Sequence, residues 1–280
     1  MLPLSQGQLT LFDACPRKFK YIFFDALSGP SSYEQKAKTQ WGSQFHLLMQ
    51  QSALDLPVEV MAAANTDMNG RLKALAKAAP EVFAPDGSAQ SEQRRTLAFN
   101  HYLLTVIYDL VVETPDGAQL FDWKTHQQPP RKEWLQADWQ TRLYLYVLCE
   151  TTGFDPAQLS MTYCFVRVGL DDNKVSLPEP LPSFYRFGYS AAQHQKTHKD
   201  LQQLTERLTG AIALMKANNE AAGFPKVDKA KGLCESCLFN IRCDRAFSTA
   251  LSPTSENDDP YQLLRTARAL TAETVEEIPL

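Results

Sequence analysis

The stretch from Tyr102 to Lys124 restricts the fold more than any other. From Tyr102 to Val112 (YLLTVIYDLVV) nearly every residue is apolar, β-branched or aromatic, the composition of a strand buried on both faces. Pro115-Asp116-Gly117 follows. Proline presets φ and glycine permits positive φ, so the chain turns there. Ala118 to Lys124 then reads as a second strand returning antiparallel to the first. Two carboxylates interrupt these runs, Asp109 and Asp122. With the turn centred near 115–116, they fall opposite each other, within a register step. A buried, unpaired carboxylate is costly, and two facing acids repel unless a cation lies between them. Hard oxygen ligands of this kind suit Mg²⁺ or Mn²⁺. Lys124 lies two residues beyond Asp122 and therefore projects from the same face of the strand. A lysine there can orient an attacking water and stabilise charge at a scissile phosphate. For an isolated D-x-K the simpler account is a surface hairpin with solvated charges. The buried context and the opposed Asp109 argue for a site.

Helical patterns surround this hairpin. Residues 5–27 carry an apolar stripe of Leu9, Phe12, Phe19 and Phe23, with Ser5 as a cap and an interruption at Pro16. Residues 36–53 place Trp41, Phe45, Leu48 and Met49 on one face with His46 among them, and 69–79 form a short third helix. Residues 85–87 are a loop. A helix is predicted over 133–150, with Gln140 and Tyr144 one turn apart on the same face. A strand follows at 159–168 and a long polar helix at 190–219, broken by Gly223-Phe224-Pro225. Helix–strand–strand–helix–strand implies an α/β fold with a mixed central sheet flanked by helices. Residues 1–250 are read as one domain. Residues 251–280 are read as an acidic tail with one helix near 260–272.

Cysteine is the second signal. Cys234-x2-Cys237-x5-Cys243 lies near the end of the chain and Cys15 near its start, more than two hundred residues away. Four thiolates are the usual number for a [4Fe–4S] cluster or a structural zinc. A four-cysteine zinc site usually has two C-x2-C knuckles, whereas here the fourth ligand is a lone cysteine. A shared centre would tie the two ends of a domain together and close a very long loop. Cys149 and Cys164 read as packed thiols. With no apolar leader in MLPLSQGQLTLFDAC, six cysteines suggest a reducing, cytoplasmic setting. No apolar run approaches the ~20 residues that a membrane helix needs. The net charge of −4 offers no overall attraction to nucleic acid. DNA contact would fall to local groups: Arg17, Lys18 and Lys20, Arg94 and Arg95, Arg131 and Lys132, Arg142, and Lys226, Lys229 and Lys231. His126 follows Lys124 closely, but its loop position suits a solvated role.

Asp109 followed by Asp122-Trp123-Lys124 resembles the signature of the PD-(D/E)XK nucleases. Gln140-x3-Tyr144 resembles the Q-x3-Y motif of their RecB-like branch, and Trp41-Gly42-Ser43-Gln44-Phe45-His46 its G-x3-H helix. Cys15 with Cys234, Cys237 and Cys243 resembles the iron–sulfur staple of the AddB nuclease and of CRISPR-adaptation exonucleases. The likeness spans about residues 5–245. One departure is Val106, where the family often has glycine three residues before the first aspartate. The resemblance implies a restriction-endonuclease-like core whose N- and C-terminal segments are joined by a four-cysteine iron–sulfur cluster. It implies a DNA nuclease that uses Mg²⁺ or Mn²⁺, an exonuclease in repair, recombination or CRISPR adaptation. His46, Asp109 and Asp122 would hold the metal, Lys124 would orient the attacking water, and Gln140 and Tyr144 would support the lysine and the phosphate. A rival expectation is a DNA-binding scaffold subunit beside a helicase, without catalysis of its own. Another is a zinc-stapled protein without nuclease activity.

Overall fold

The computed structural model describes residues 1–29, 33–58, 65–125, 129–166 and 181–245. The expected acidic tail, its helix and His126 lie outside the described residues. The chain forms two units, one of Met1–Leu4 with Ser32–Asp200, the other of Ser5–Ser31 with Leu201–Leu280.

The first unit is organised by one long strand. Its six-stranded sheet comprises β1 (Leu2–Leu4), β2 (Ser88–Phe99), β3 (Tyr102–Thr114), β4 (Gly117–Lys124), β5 (Leu159–Phe165) and β6 (Ser183–Gly188). β2 runs antiparallel along β3 from Phe99↔Tyr102 to Ser88↔Glu113. The opposite edge of β3 is shared. β1 pairs with its start in parallel, and β4 pairs with its end antiparallel, from Thr114↔Gly117 to Leu110↔Phe121. The predicted hairpin is therefore present, in the expected register. Gly117 is required by a close approach, because a Cβ there would run into the carbonyl oxygen of Gln158. β4 then pairs in parallel with β5, Asp122 opposite Tyr163, and β5 pairs antiparallel with β6. The sheet is thus mixed, as expected.

A parallel β4–β5 pair needs a crossover, and α5 (Lys132–Ala137) and α6 (Trp139–Thr151) lie on it. The single helix predicted over 133–150 is two. Asp138 takes an extended conformation (ψ 147°), and its carboxylate accepts from Gln140 N at 2.7 Å, capping α6. β2 was not anticipated: SAQSEQRRTLAF is polar, as suits a strand with only its last residue buried. β1 and β6 are too short, or too exposed, to show a period.

On one side of the sheet lie α3 (Tyr33–Ala53) and α4 (Thr66–Ala78), close to the predicted spans. Phe45, Leu48 and Met49 of α3 and Leu72 and Leu75 of α4 pack with Leu110, Val112, Phe121, Trp123 and Cys164. Full burial of side chains of this size is worth about 1.5–3 kcal/mol each. Phe121 and Trp123 face this layer. Asp122 and Lys124, at the alternate positions, meet Gln140 of α6 instead.

The second unit draws on both ends of the sequence. α1 (Gln6–Ala14) begins at Ser5, whose N–H donates to Gln8 Oε1 at 2.8 Å. Pro16 restarts the chain as α2 (Pro16–Phe23), leaving Cys15 extended between the two helices. α7 (Ala191–Lys216) continues into this unit from Leu201 and is followed by α8 (Glu220–Gly223). Phe19 packs against Phe12, Phe23 and Phe224. Buried Lys20 is paired with Asp25 at 2.8 Å and Glu220 at 2.9 Å. Among the described residues no helix is long and apolar enough to cross a membrane.

Candidate active site

The ladder between β3 and β4 stops at Leu110↔Phe121. Asp109 and Asp122 are the next residue on each strand, at the fork where the strands part. Asp109 is 8% exposed and Asp122 3%. Asp109 Oδ2 accepts the Trp123 backbone N–H at 2.7 Å, which fixes the carboxylate across the fork.

α3 brings His46 to the same place. Gly42 lets the helix approach the end of β4, since a Cβ there would stand 3.1 Å from Thr125 Oγ1. One turn later His46 Nδ1 lies 3.3 Å from Asp109 Oδ1, and Nε2 3.0 Å from the Trp123 carbonyl oxygen. Burial works against the imidazolium, but the Asp109 carboxylate outweighs it and holds the His46 pKa up at about 9. Burial would likewise raise Asp109, but His46 beside it and the Trp123 N–H keep its carboxyl below the usual value.

Asp122 has the opposite balance. Burial pushes it up to about 6; Lys124 pulls against this and the Asp109 charge adds to it. Gln140 joins the pair: its Nε2 donates to Asp122 Oδ2 at 2.7 Å and its Oε1 accepts from Lys124 Nζ at 2.9 Å. Asp122 Oδ1 lies 3.0 Å from Lys124 Nζ, a close ion pair within the buried site.

Two neighbours were not foreseen. Glu92 sits on β2 opposite Asp109, where the β2–β3 ladder skips one pair between Ser91↔Leu110 and Gln93↔Tyr108. Its φ of 51° is a left-handed conformation that costs a non-glycine residue roughly 1–2 kcal/mol. Ligand atoms of His46, Glu92 and Asp109 all lie within 4.8 Å of one another. Tyr163 of β5 places its ring 5.3 Å from Lys124 Nζ, and its hydroxyl is 2.8 Å from Thr141 Oγ1. Only strand pairing brings these two residues in, so no local signal marked them. Tyr144 lies one turn beyond Gln140, buried, its ring edge-on to Tyr108 at 5.3 Å and its carbonyl accepting from the Tyr108 hydroxyl.

In the second unit, Cys15, Cys234, Cys237 and Cys243 line one cavity of about 90 Å³, with Lys18, Tyr21, Phe239 and Arg245. The Lys18 N–H donates to Cys15 Sγ at 3.4 Å and Arg245 Nη1 to Cys234 Sγ at 3.0 Å; Cys243 Sγ is 3.9 Å from Tyr21 Oη. Burial, with Cys15 and Cys243 nearby, pushes the Cys237 thiol up. The four sulfurs do not form a group as tight as His46, Glu92 and Asp109. Cys164 is fully buried, and Cys149 Sγ contacts the Phe154 carbonyl at 3.6 Å.

Residues 3–244 match the PD-(D/E)XK nuclease superfamily. No curated protein matches the sequence. Among solved structures, that of a protein named "Putative exonuclease" from Eubacterium rectale is similar at 10% identity and a TM-score of 0.50, covering 92% of this chain and 91% of that one. The protein SSO0001 is similar at 10% identity and a TM-score of 0.35, covering 73% of this chain and 75% of its own. With its sequence match spanning most of its length, the chain belongs to the PD-(D/E)XK nuclease superfamily.

Proposed function

We propose that the chain is a RecB-like deoxyribonuclease that hydrolyses phosphodiester bonds at DNA ends with Mg²⁺ or Mn²⁺. The observation that carries this reading is the bridge of Gln140 between Lys124 and Asp122, beside the His46–Asp109 pair. A scaffold has no need of an amide that holds a lysine and a carboxylate in one place.

The donor set fits a hard divalent cation: the buried carboxylates Asp109 and Asp122, with Glu92 and the His46 imidazole beside Asp109. Bound there, the cation supplies Lewis acidity and offsets the charge of the scissile phosphate. The chain's own residues do the rest. Asp109 fixes His46 and the Trp123 backbone. Gln140 positions Lys124 Nζ, which orients water and meets the negative charge that develops on the phosphate. The Tyr163 ring walls Lys124 on one side.

We read the four cysteines as ligands of a [4Fe–4S] cluster: they line one cavity, and a lone cysteine with a single C-x2-C knuckle departs from the two knuckles usual at a four-cysteine zinc site. The cluster's role is structural, tying α1 and α2 to the segment after α8.

The test is anaerobic purification of the full chain, then incubation with end-labelled single- and double-stranded DNA in Mg²⁺, Mn²⁺ or EDTA. Cleavage with the metals, absent in EDTA and in Asp122→Ala, is expected. A folded protein that cleaves neither substrate would reject the reading.

A further inference from the structure

We infer that Trp134 is a stacking platform for an unpaired base, so that the site takes a single-stranded end. This rests on the nuclease reading and names the form of its substrate. Trp134 is 60% exposed, and no residue of α5 is buried. The helix is therefore not held for what it adds to the core. Yet it is tied down: Thr141 Oγ1 of α6 donates to Leu135 O at 2.5 Å, and Asp138 N bonds the same carbonyl at 3.3 Å. Its place in the chain matters. α5 lies in the segment between Lys124 and Gln140, whose side chains are hydrogen-bonded to each other, and Trp134 stands on that helix.

The surroundings of the indole suit a nucleotide. The Arg131 guanidinium lies 5.4 Å from the Trp134 ring centroid, and the neighbouring Lys132 places its Nζ 5.5 Å from the Phe187 ring. Arg131 and Lys132 are exposed, and Glu133 is the only acidic residue on the helix. An aromatic face flanked by cations is the pattern that binds single strands: bases stack on the ring and phosphates meet the charge, with little dependence on sequence. A protein partner would call for a contiguous apolar patch, whereas Lys132, Glu133 and Gln136 around Trp134 are polar and exposed. Bases inside a duplex are already stacked on each other, so the platform discriminates between strands.

The experiment compares the full-length protein with Trp134→Ala and Trp134→Phe. Fluorescence anisotropy in EDTA, where cleavage is excluded, measures binding of a labelled oligo(dT) and of a blunt hairpin duplex. Base–aromatic stacking of about 1–3 kcal/mol predicts that Trp134→Ala loses about 5–150-fold in affinity for the single strand. Duplex affinity should be unaffected, and Trp134→Phe should restore most of the loss. A single abasic site walked along the oligo(dT) should reproduce the loss at one position in the wild type and add nothing in Trp134→Ala. Equal losses on both substrates, no loss, no sensitive position, or no oligonucleotide binding at all would overturn the inference. Cleavage in Mg²⁺ or Mn²⁺ is measured in parallel. A wild type that cleaves while Trp134→Ala binds normally rejects this inference alone, and a wild type that never cleaves rejects the nuclease reading.

Discussion

Replacing Asp109 by alanine and by asparagine separates its two duties. Its Oδ2 satisfies the buried Trp123 N–H, and its charge holds His46. Asp109→Ala removes both. A buried N–H left without its acceptor costs about 1–3 kcal/mol, so unfolding free energy should fall by about 2–3 kcal/mol in metal-free protein. Asp109→Asn keeps an oxygen for Trp123 and loses the charge, and should cost about 1 kcal/mol. Both should abolish metal-dependent cleavage. The pH dependence follows from the same pair. His46 has a folded pKa of about 9 against 6.5, so its contribution is complete below pH 6.5 and lost as pH rises toward 9. Asp109 is depressed below 3.8, so its contribution is present above that value and lost as pH falls through its folded pKa. Asp122, held at about 6, is almost fully ionised above pH 7, so the alkaline side reports mainly on His46. Urea denaturation in EDTA at pH 6.5 and 9 should show the wild type losing stability and Asp109→Asn losing much less. In Asp109→Asn, burial is no longer outweighed, and the His46 resonance should titrate well below 9 by NMR. An asparagine variant as unstable as the alanine one, or a wild-type profile flat over that range, would refute the reasoning.

Other substitutions test the rest of the site. Gln140→Ala should slow cleavage about 10–100-fold with little change in DNA affinity, because it frees Lys124. Lys124→Ala should cost about 10²–10³ in turnover, and a change confined to KM would make it a phosphate anchor. Mn²⁺ at about a hundred times its Kd stabilises by roughly 2.7 kcal/mol; the same concentration should raise the Tm of Glu92→Gln far less than that of the wild type, and equal rises would remove Glu92 from the ligand set. Serine at Cys15, Cys234, Cys237 or Cys243 should abolish visible absorption and bound iron and lower the Tm, whereas Cys149→Ser and Cys164→Ser should retain the iron. Full iron content in Cys15→Ser, or zinc alone in the wild type, would end the iron–sulfur assignment.

The hairpin was legible because a short turn with proline and glycine fixes register by itself, down to the juxtaposition of Asp109 and Asp122. β2 was not, because its stability comes from β3 and its own sequence is polar. Glu92 was hidden with it: its place beside His46 and Asp109 exists only once the strands pair. The break at Asp138 was missed because an aspartate amid helix-forming residues carries no proline or glycine to mark it, and its capping role shows only in its extended backbone and its hydrogen bond from Gln140 N. That Cys15 lines one cavity with the late cysteines could be expected only from ligand chemistry, since no periodicity links positions so far apart. Tyr144 lies in the core beside Tyr108, a contact that helical spacing alone does not reveal.

The second unit takes residues from before β2 and from after β6, and this sets an order of assembly on the ribosome. Cys15 emerges early, and 228 positions separate it from Cys243. At roughly 5–20 residues per second, about 10–45 s of synthesis pass before the last of the four thiols exists. The sheet and the fork that holds Asp109 and Asp122 can form within that interval. The cysteine cavity cannot, so a chain stalled before residue 234 would carry a completed sheet and a Cys15 thiol without its three late neighbours.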